Sequence, residues 1–357
     1  MANRGPHDVS VARGGASTSG VDLADSPSAP EDDTTSGSRR ERTPRLIHQE
    51  PSIADRWFNR ITLTSGIVVL VLLLLVGFFL LKQSQDALGQ AGWSFFGRAE
   101  WRTDVEPARI GVLGLLTGTV LVALVAVALA IPMGVGAALF ITEYASLKTR
   151  KYLTSLVDLL AAIPSLLFGI WGFVYLSEQI VPLSRWLTEH LGFIPIFATD
   201  EGANLTGSVF IAGIVVSLMT LPIIASVVRE VFAQTPPGEK EAALALGSTR
   251  WGMIRTVVLP FGKGGIVGSA MLGLGRALGE TIAVTLLLPQ VPEISAKILQ
   301  NGGATVSGFI ASRAGGDPFT VSGLMAAGLV LFAITLATNM IASVVVSKSR
   351  SGAGVDL

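Results

Sequence analysis

The 357-residue chain contains no cysteine. That excludes a disulfide scaffold, a thiolate zinc site, an iron–sulfur cluster and a cysteine nucleophile. Histidine is nearly as scarce, at His7, His48 and His190, and so few imidazoles do not make a His-rich metal centre. Charge is also in short supply. Charged residues are 15% of the chain, against about 25% in an ordinary soluble domain. Lys plus Arg number 26 and Asp plus Glu number 26, so no net positive charge is available to hold nucleic acid. No metal site and no catalytic residue are expected.

What the chain has instead is apolar length. Half of its residues are hydrophobic, and they fall in long runs without charges. Residues 61–81, 110–142, 159–177, 202–228 and 319–347 are uncharged. Each meets or nearly meets the roughly 20 residues a helix needs to cross a bilayer core. A sixth run, 264–291, is interrupted only by Arg276 and Glu280. The backbone must bond to itself in lipid, so the expectation is an all-α integral membrane protein with six transmembrane helices. With the N-terminus inside, segments 39–60, 143–158, 229–263 and 348–357 hold sixteen Lys and Arg, and the outer loops 82–109, 178–201 and 292–318 hold seven. The positive-inside rule then places both termini in the cytoplasm of a multi-pass protein of the cell membrane.

The chain divides accordingly. Residues 1–56 are rich in Ser, Gly, Thr, Pro and Asp and bury too little to offset their ordering entropy, so a disordered cytoplasmic tail is expected. Its Arg39-Arg40-Glu41-Arg42 cluster reads as solvated charge or as a site for acidic lipid or a partner. A first transmembrane helix at 57–82 and an outer loop at 83–109 lead to a core over 110–347, followed by a C-terminal cytoplasmic tail, 348–357. Gly114-x-x-x-Gly118 and Gly275-x-x-x-Gly279 have the spacing of close helix approach. Pro132, Pro164, Pro222 and Pro289 are expected to kink helices.

Two segments carry chemistry. The inner loop 229–263 opens with Thr235-Pro236-Pro237-Gly238, a turn signal. Glu239-Lys240-Glu241-Ala242-Ala243-Leu244-Ala245-Leu246, ended by Gly247, reads as a short smooth helix fit for a groove on another protein. Trp251, Ile254 and Val258 follow at helical spacing, and Leu259-Pro260 closes the segment. In the fifth run, Arg276 and Glu280 are four residues apart and so share one helix face. Charges at that depth need a partner or water. They form either a structural pair or an ion pathway. A guanidinium is suited to phosphate or carboxylate oxygens, and a neighbouring carboxylate would keep binding weak enough for release. Thr281 and Thr285 add hydroxyls, which on a helix bond back to carbonyls.

Glu241-Ala242-Ala243, three residues, Gly247, nine residues, then Val257-Val258-Leu259-Pro260 resembles the signature of the membrane subunits of bacterial ABC importers, with Val257 in place of Ile. The stretch Gly273-Leu274-Gly275-Arg276-Ala277-Leu278-Gly279-Glu280-Thr281-Ile282-Ala283-Val284-Thr285 resembles the phosphate importer permeases of the PstC type. Ala162-Ile163-Pro164-Ser165-Leu166-Leu167-Phe168-Gly169 and Leu221-Pro222-Ile223-Ile224 agree with it. The sister permease, PstA, typically continues Ala-Pro-Leu after Gly-Glu-Thr, where this chain has Ile282-Ala283-Val284. The resemblance covers residues 57–347 and implies a type I ABC importer (MetI-like) permease fold. It implies an ATP-driven phosphate importer in which Glu241, Ala242, Ala243, Gly247, Leu259 and Pro260 dock on the ATPase. Arg276, Glu280 and Thr281 would line the phosphate path.

It also implies the company: a PstA-type permease as heterodimer partner, two ATP-binding subunits that hold the ATP and Mg, an extracytoplasmic phosphate-binding protein, and membrane lipid. Outer-loop Trp93, Phe95, Phe96 and Trp101 would face the binding protein or anchor at the headgroups. This chain binds no cofactor in that scheme. It has no Gly-x-x-x-x-Gly-Lys-Ser/Thr loop, since Gly262-Lys263-Gly264 lacks the leading Gly and the hydroxyl. An ABC permease for another oxyanion or small solute shares the same inner loop. A secondary transporter would not need that loop, and an intramembrane hydrolase would need a base such as His within a span.

Overall fold

The computed structural model describes residues 53–103, 105 and 107–350. The tail up to residue 52, with its arginine cluster, and the last residues, 351–357, lie outside the described residues. The chain divides after Arg60. Of the first unit, residues 53–60 are described, and they are the opening turns of α1 (Ile53–Gln83). Helix therefore begins four residues before the expected start at residue 57. Nothing in Ile53-Ala54-Asp55-Arg56 breaks a helix, and Asp55 in the first turn suits the helix dipole.

In the second unit, the expected outer loop is structured. It holds α2 (Gln85–Ala91), α3 (Ser94–Gly97) and a two-stranded hairpin of β1 (Trp101–Arg102) and β2 (Arg109–Ile110). Trp101 pairs with Ile110. Phe95 and Trp101 are core residues here, packed with Ile110, Leu115 and Phe309, and the Trp101 and Phe309 rings meet edge-on at 5.0 Å. That removes both from a partner or headgroup face. Phe96 is exposed, and Trp93 is 90% exposed.

The helices that follow are α4 (Leu113–Leu139), α5 (Leu147–Ala162), α6 (Ser165–Trp171), α7 (Ser177–Leu191) and α8 (Val209–Ala233). Then come α9 (Pro237–Ala245), α10 (Arg250–Met253), α11 (Leu259–Leu278), α12 (Ile282–Leu287), α13 (Val306–Arg313) and α14 (Pro318–Arg350). Three π-helical turns, Phe140–Tyr144, Gly172–Leu176 and Ile254–Val258, extend α4, join α6 to α7, and join α10 to α11. Hydroxyl side chains cap several starts: Ser146, Ser208, Thr249 and Thr305 each accept a backbone N–H three residues on.

Six helical stretches among the described residues are long and apolar enough to cross a membrane. Two boundaries differ from the sequence reading. The run 159–177 is not one helix, because Pro164 holds Ile163 in extended backbone (φ −67°, ψ 128°) and ends α5. The helix after the break reaches Leu191, and His190 lies at its end. The fifth span runs over Arg250–Leu278 rather than 264–291. Pro260 does not close the preceding segment. It is the second residue of α11, directly after the π-turn Ile254–Val258, whose altered winding lets the helix continue past it.

The core is the α4–α8 pair, with α11 laid against both. Val122, Ala126, Ile211, Val215 and Met219 are buried between them, and Ala277, Leu278, Ala283 and Val284 close the same cluster. Small residues set the spacing. A Cβ on Gly213 would meet Val125 and one on Gly134 would meet Ile224. The Gly114–Gly118 pair is close-packed, but not against a helix. Gly114 abuts the backbone of Pro292 and Glu293, and Gly118 abuts the Ala304 carbonyl. The loops that follow α7 and α12 cap this end of the bundle. Asn301 N–H donates to the Asn204 carbonyl at 2.7 Å and Ile298 N–H to the Ile196 carbonyl at 3.1 Å. Lys297 and Gln300 both donate to Asp200, and the Lys297 hydrogen bond is the main cause holding the Asp200 carboxyl below its ordinary 3.8.

Two outcomes follow from this packing. Gly118→Val should force the Ala304 loop aside and lower the melting temperature of the solubilised protein, at a cost of about 1–3 kcal/mol. Gly136→Ala, which meets open space, should leave it unchanged. The Asp200 tie is fully present above its unfolded value and is lost as pH falls through the lower folded one. Hydrogen exchange in residues 196–206, corrected for intrinsic rate, should therefore stay slow at pH 5 and speed up below pH 3.8. Lys297→Gln should move that loosening to higher pH.

Candidate functional site

Arg276 and Glu280 do not share a helix face. Gly279 caps α11 at Leu278, and α12 restarts at Ile282. The two charges therefore flank a break, and among the described residues no ion pair joins them. Glycine at the cap and Thr281 with φ −113° and ψ −59° interrupt the 3.6-residue repeat on which the expected i, i+4 pairing depended.

The break lies deep in the bundle. A Cβ on Gly273 would meet Ile224 and Thr220, which sit mid-way along α8. Arg276 is three residues further, about 4.5 Å along the axis. On the other side, Gly169 of α6 abuts Ala283 of α12, and Gly172 abuts Val215 and Leu287. Broken helices are tolerated at such depth where neighbouring groups satisfy the freed backbone.

Each charge lies where a helix end favours it. Arg276 is in the last turn of α11, at the negative end of that helix. Glu280 precedes α12 and its Oε1 accepts the Ala283 N–H at 3.4 Å. Glu280 is 9% exposed, and its carbonyl accepts the Ser307 hydroxyl at 2.6 Å. Arg276 is exposed, and among the described residues no hydrogen bond or ion pair engages its guanidinium. Thr281 donates its hydroxyl to the Gly279 carbonyl at 3.2 Å and Thr285 to the Thr281 carbonyl at 2.6 Å, the back-bonding expected from sequence.

Several side chains that brace the break were not singled out in the sequence. Gln290, at φ 56°, donates to the Val284 carbonyl and accepts the Thr305 N–H. Thr119 of α4 accepts the Val306 N–H at 2.9 Å. Ser307, Gln290 and Thr119 are separated by up to 188 positions in the chain, so no local pattern marks them. A polar residue inside an apolar run, as at Thr119, was the one available signal.

At the opposite end of the bundle, α9 starts two residues before the expected Glu239, inside the expected turn, and stops at Ala245, one residue short of Leu246. Pro237 begins it, and Gly247 ends it at φ 86°. The Gly247 N–H bonds the Leu244 carbonyl and the Ser248 N–H bonds the Ala243 carbonyl, a complete Schellman stop that requires the left-handed region. Glu241 and Ala242 are exposed, and Ala243 packs on the bundle. Leu244 and Trp251 are also exposed, and Leu246 is 89% exposed. Leu259 and Pro260 lie in α11 rather than on this helix. The loop thus presents an acidic and apolar face beneath the bundle, of the kind that fits a groove.

Residues 130–351 match the model of the binding-protein-dependent transport system inner membrane component. The chain belongs to this family. Among curated relatives, the "Phosphate transport system permease protein PstC 2" of Mycobacterium tuberculosis is 38% identical over 302 residues, covering 84% of this chain and 93% of the relative. The "Phosphate transport system permease protein PstC" of Xylella fastidiosa is 35% identical over 316 residues, covering 88% and 94%. A solved bacterial ABC transporter involved in the import of the acidic polysaccharide alginate aligns at 18% identity and a TM-score of 0.47, covering 82% of this chain and 99% of that one.

Membership in this family and the six apolar helices make the chain a multi-pass membrane protein. Within it, Gly247→Val should strain a backbone that only glycine adopts freely. The expected result is faster amide exchange in Leu244–Ser248, with the melting temperature of the bundle little changed.

Proposed function

We propose that the chain is the membrane-spanning permease subunit of an ATP-driven importer of inorganic phosphate. The curated relatives named as phosphate permeases, which it matches over most of their length, support this cargo. The observation that carries the reading within the chain is Arg276, an exposed guanidinium at mid-depth beside a helix break. Its fixed fork of donors matches phosphate oxygens. With no partner among the described residues, it is free to exchange ligands, which passage requires. Glu280 is occupied as the N-terminal brace of α12, and its role is to hold the break.

In this reading a PstA-type permease supplies the other half of the conduit. Two ATP-binding subunits dock on α9 through Glu241, Ala242 and the Gly247 turn, and hold the ATP and Mg. An extracytoplasmic phosphate-binding protein delivers cargo to the outer loops. Both termini are cytoplasmic. The energy arrives through α9, and this chain performs no hydrolysis.

Uptake of radiolabelled phosphate into vesicles bearing the reconstituted complex tests it. Arg276→Ala is expected to abolish uptake while the complex still assembles, and Arg276→Lys to retain less than half, because a point charge lacks the fork. Normal uptake by the Ala variant would overturn the site assignment. Preference for another oxyanion in the wild-type complex would overturn the cargo.

A further inference from the structure

The inner helix α9 is fastened to the end of the second span. The Lys240 ammonium donates to Glu143 Oε1 at 2.7 Å, with the two side chains 21% and 7% exposed. Glu143 belongs to the π-helical turn Phe140–Tyr144 that extends α4. One residue on, the Arg250 guanidinium lies 5.5 Å from the centre of the Tyr144 ring. Arg250 begins α10 and with it the fifth span. Two cations on opposite sides of the Gly247 turn therefore grip two consecutive residues of one π-turn.

We propose that the Lys240–Glu143 ion pair, seconded by Arg250 on Tyr144, is the strut that passes displacement of α9 to the second span. This rests on the reading that a partner ATPase moves α9. An exposed ion pair would yield under such a load, being worth little in water. This one is largely withdrawn from solvent, and separating it leaves a carboxylate uncompensated inside protein. The span end follows α9 at lower cost than the pair parts. Both spans gripped by the inner loop carry a π-turn at that end, Phe140–Tyr144 and Ile254–Val258. Such turns are rare and collect at working sites in helices, and their wider winding is a place where a helix end can shift. Lys240 and Glu143 act here as positioning residues and touch no cargo.

The test uses the full reconstituted complex with phosphate-loaded binding protein and reads phosphate taken up per ATP hydrolysed. Lys240→Gln and Glu143→Gln are each expected to lower that ratio at least fivefold. The exchanged pair, Lys240→Glu with Glu143→Lys, is expected to recover at least half of it. A purely structural tie would instead lower the yield of assembled complex and leave the ratio of what remains intact. Single variants with the wild-type ratio would overturn the proposal. If neither single variant assembles, Arg250→Gln decides, because Arg250 is exposed and only the Tyr144 contact is lost. At least a twofold fall in the ratio supports the strut, and no change overturns it. A wild-type complex that takes up no phosphate would instead sink the functional reading on which the strut rests.

Discussion

An arginine held at mid-depth on the face of an apolar bundle constrains everything around it. Such a charge costs several kcal/mol unless water, an anion or a counter-charge meets it. The chain spends its own carboxylate elsewhere. Glu280 braces the start of α12 and its backbone takes the Ser307 hydroxyl. The guanidinium is left to the negative end of α11 and to whatever lies outside this polypeptide. The guanidinium therefore stands on an exposed face of the bundle with no partner among the described residues.

The helix break and the inner loop are two ends of one element. Residues 250–278 run nearly unbroken from the foot of the bundle to Leu278, so Arg250 and Arg276 are carried by the same helical stretch. Glycines along α11 let it lie close on α8, where Gly262 meets Phe232, Gly265 meets Val231 and Gly273 meets Ile224. A thin, smooth contact of that kind resists separation while presenting few interlocking side chains against sliding. The foot and the break are in this way joined by one helical stretch, packed along its length on the α4–α8 core.

Much of this was legible in the sequence, and the parts that were not have identifiable reasons. The six apolar runs reported their spans because lipid imposes one length on them all. Gly247 marked the end of α9 because it satisfies a local backbone demand, whereas Pro237 reads as a turn in sequence and proves to be the first helical residue. The break at Gly279 was missed, since glycine inside an apolar run also reads as a helix contact, and the Gly275–Gly279 spacing encouraged that reading. The i, i+4 pairing of Arg276 with Glu280 failed with it. Pro260 reads as a stop in sequence, and only the preceding π-turn shows why the helix continues. The burial of Phe95 and Trp101 depended on α13 and α14, more than 200 positions away, and no local pattern could report it.

The absence of cysteine allows a direct trial of whether Arg276 faces an aqueous path. In the assembled complex, Arg276→Cys offers the only thiol in this chain, and a membrane-impermeant cationic thiol reagent either reaches it or does not. Labelling much faster than at Leu70→Cys, on the exposed apolar surface of α1, is expected. Labelling no faster than at Leu70→Cys would place Arg276 in lipid or sealed protein and contradict the account at its centre.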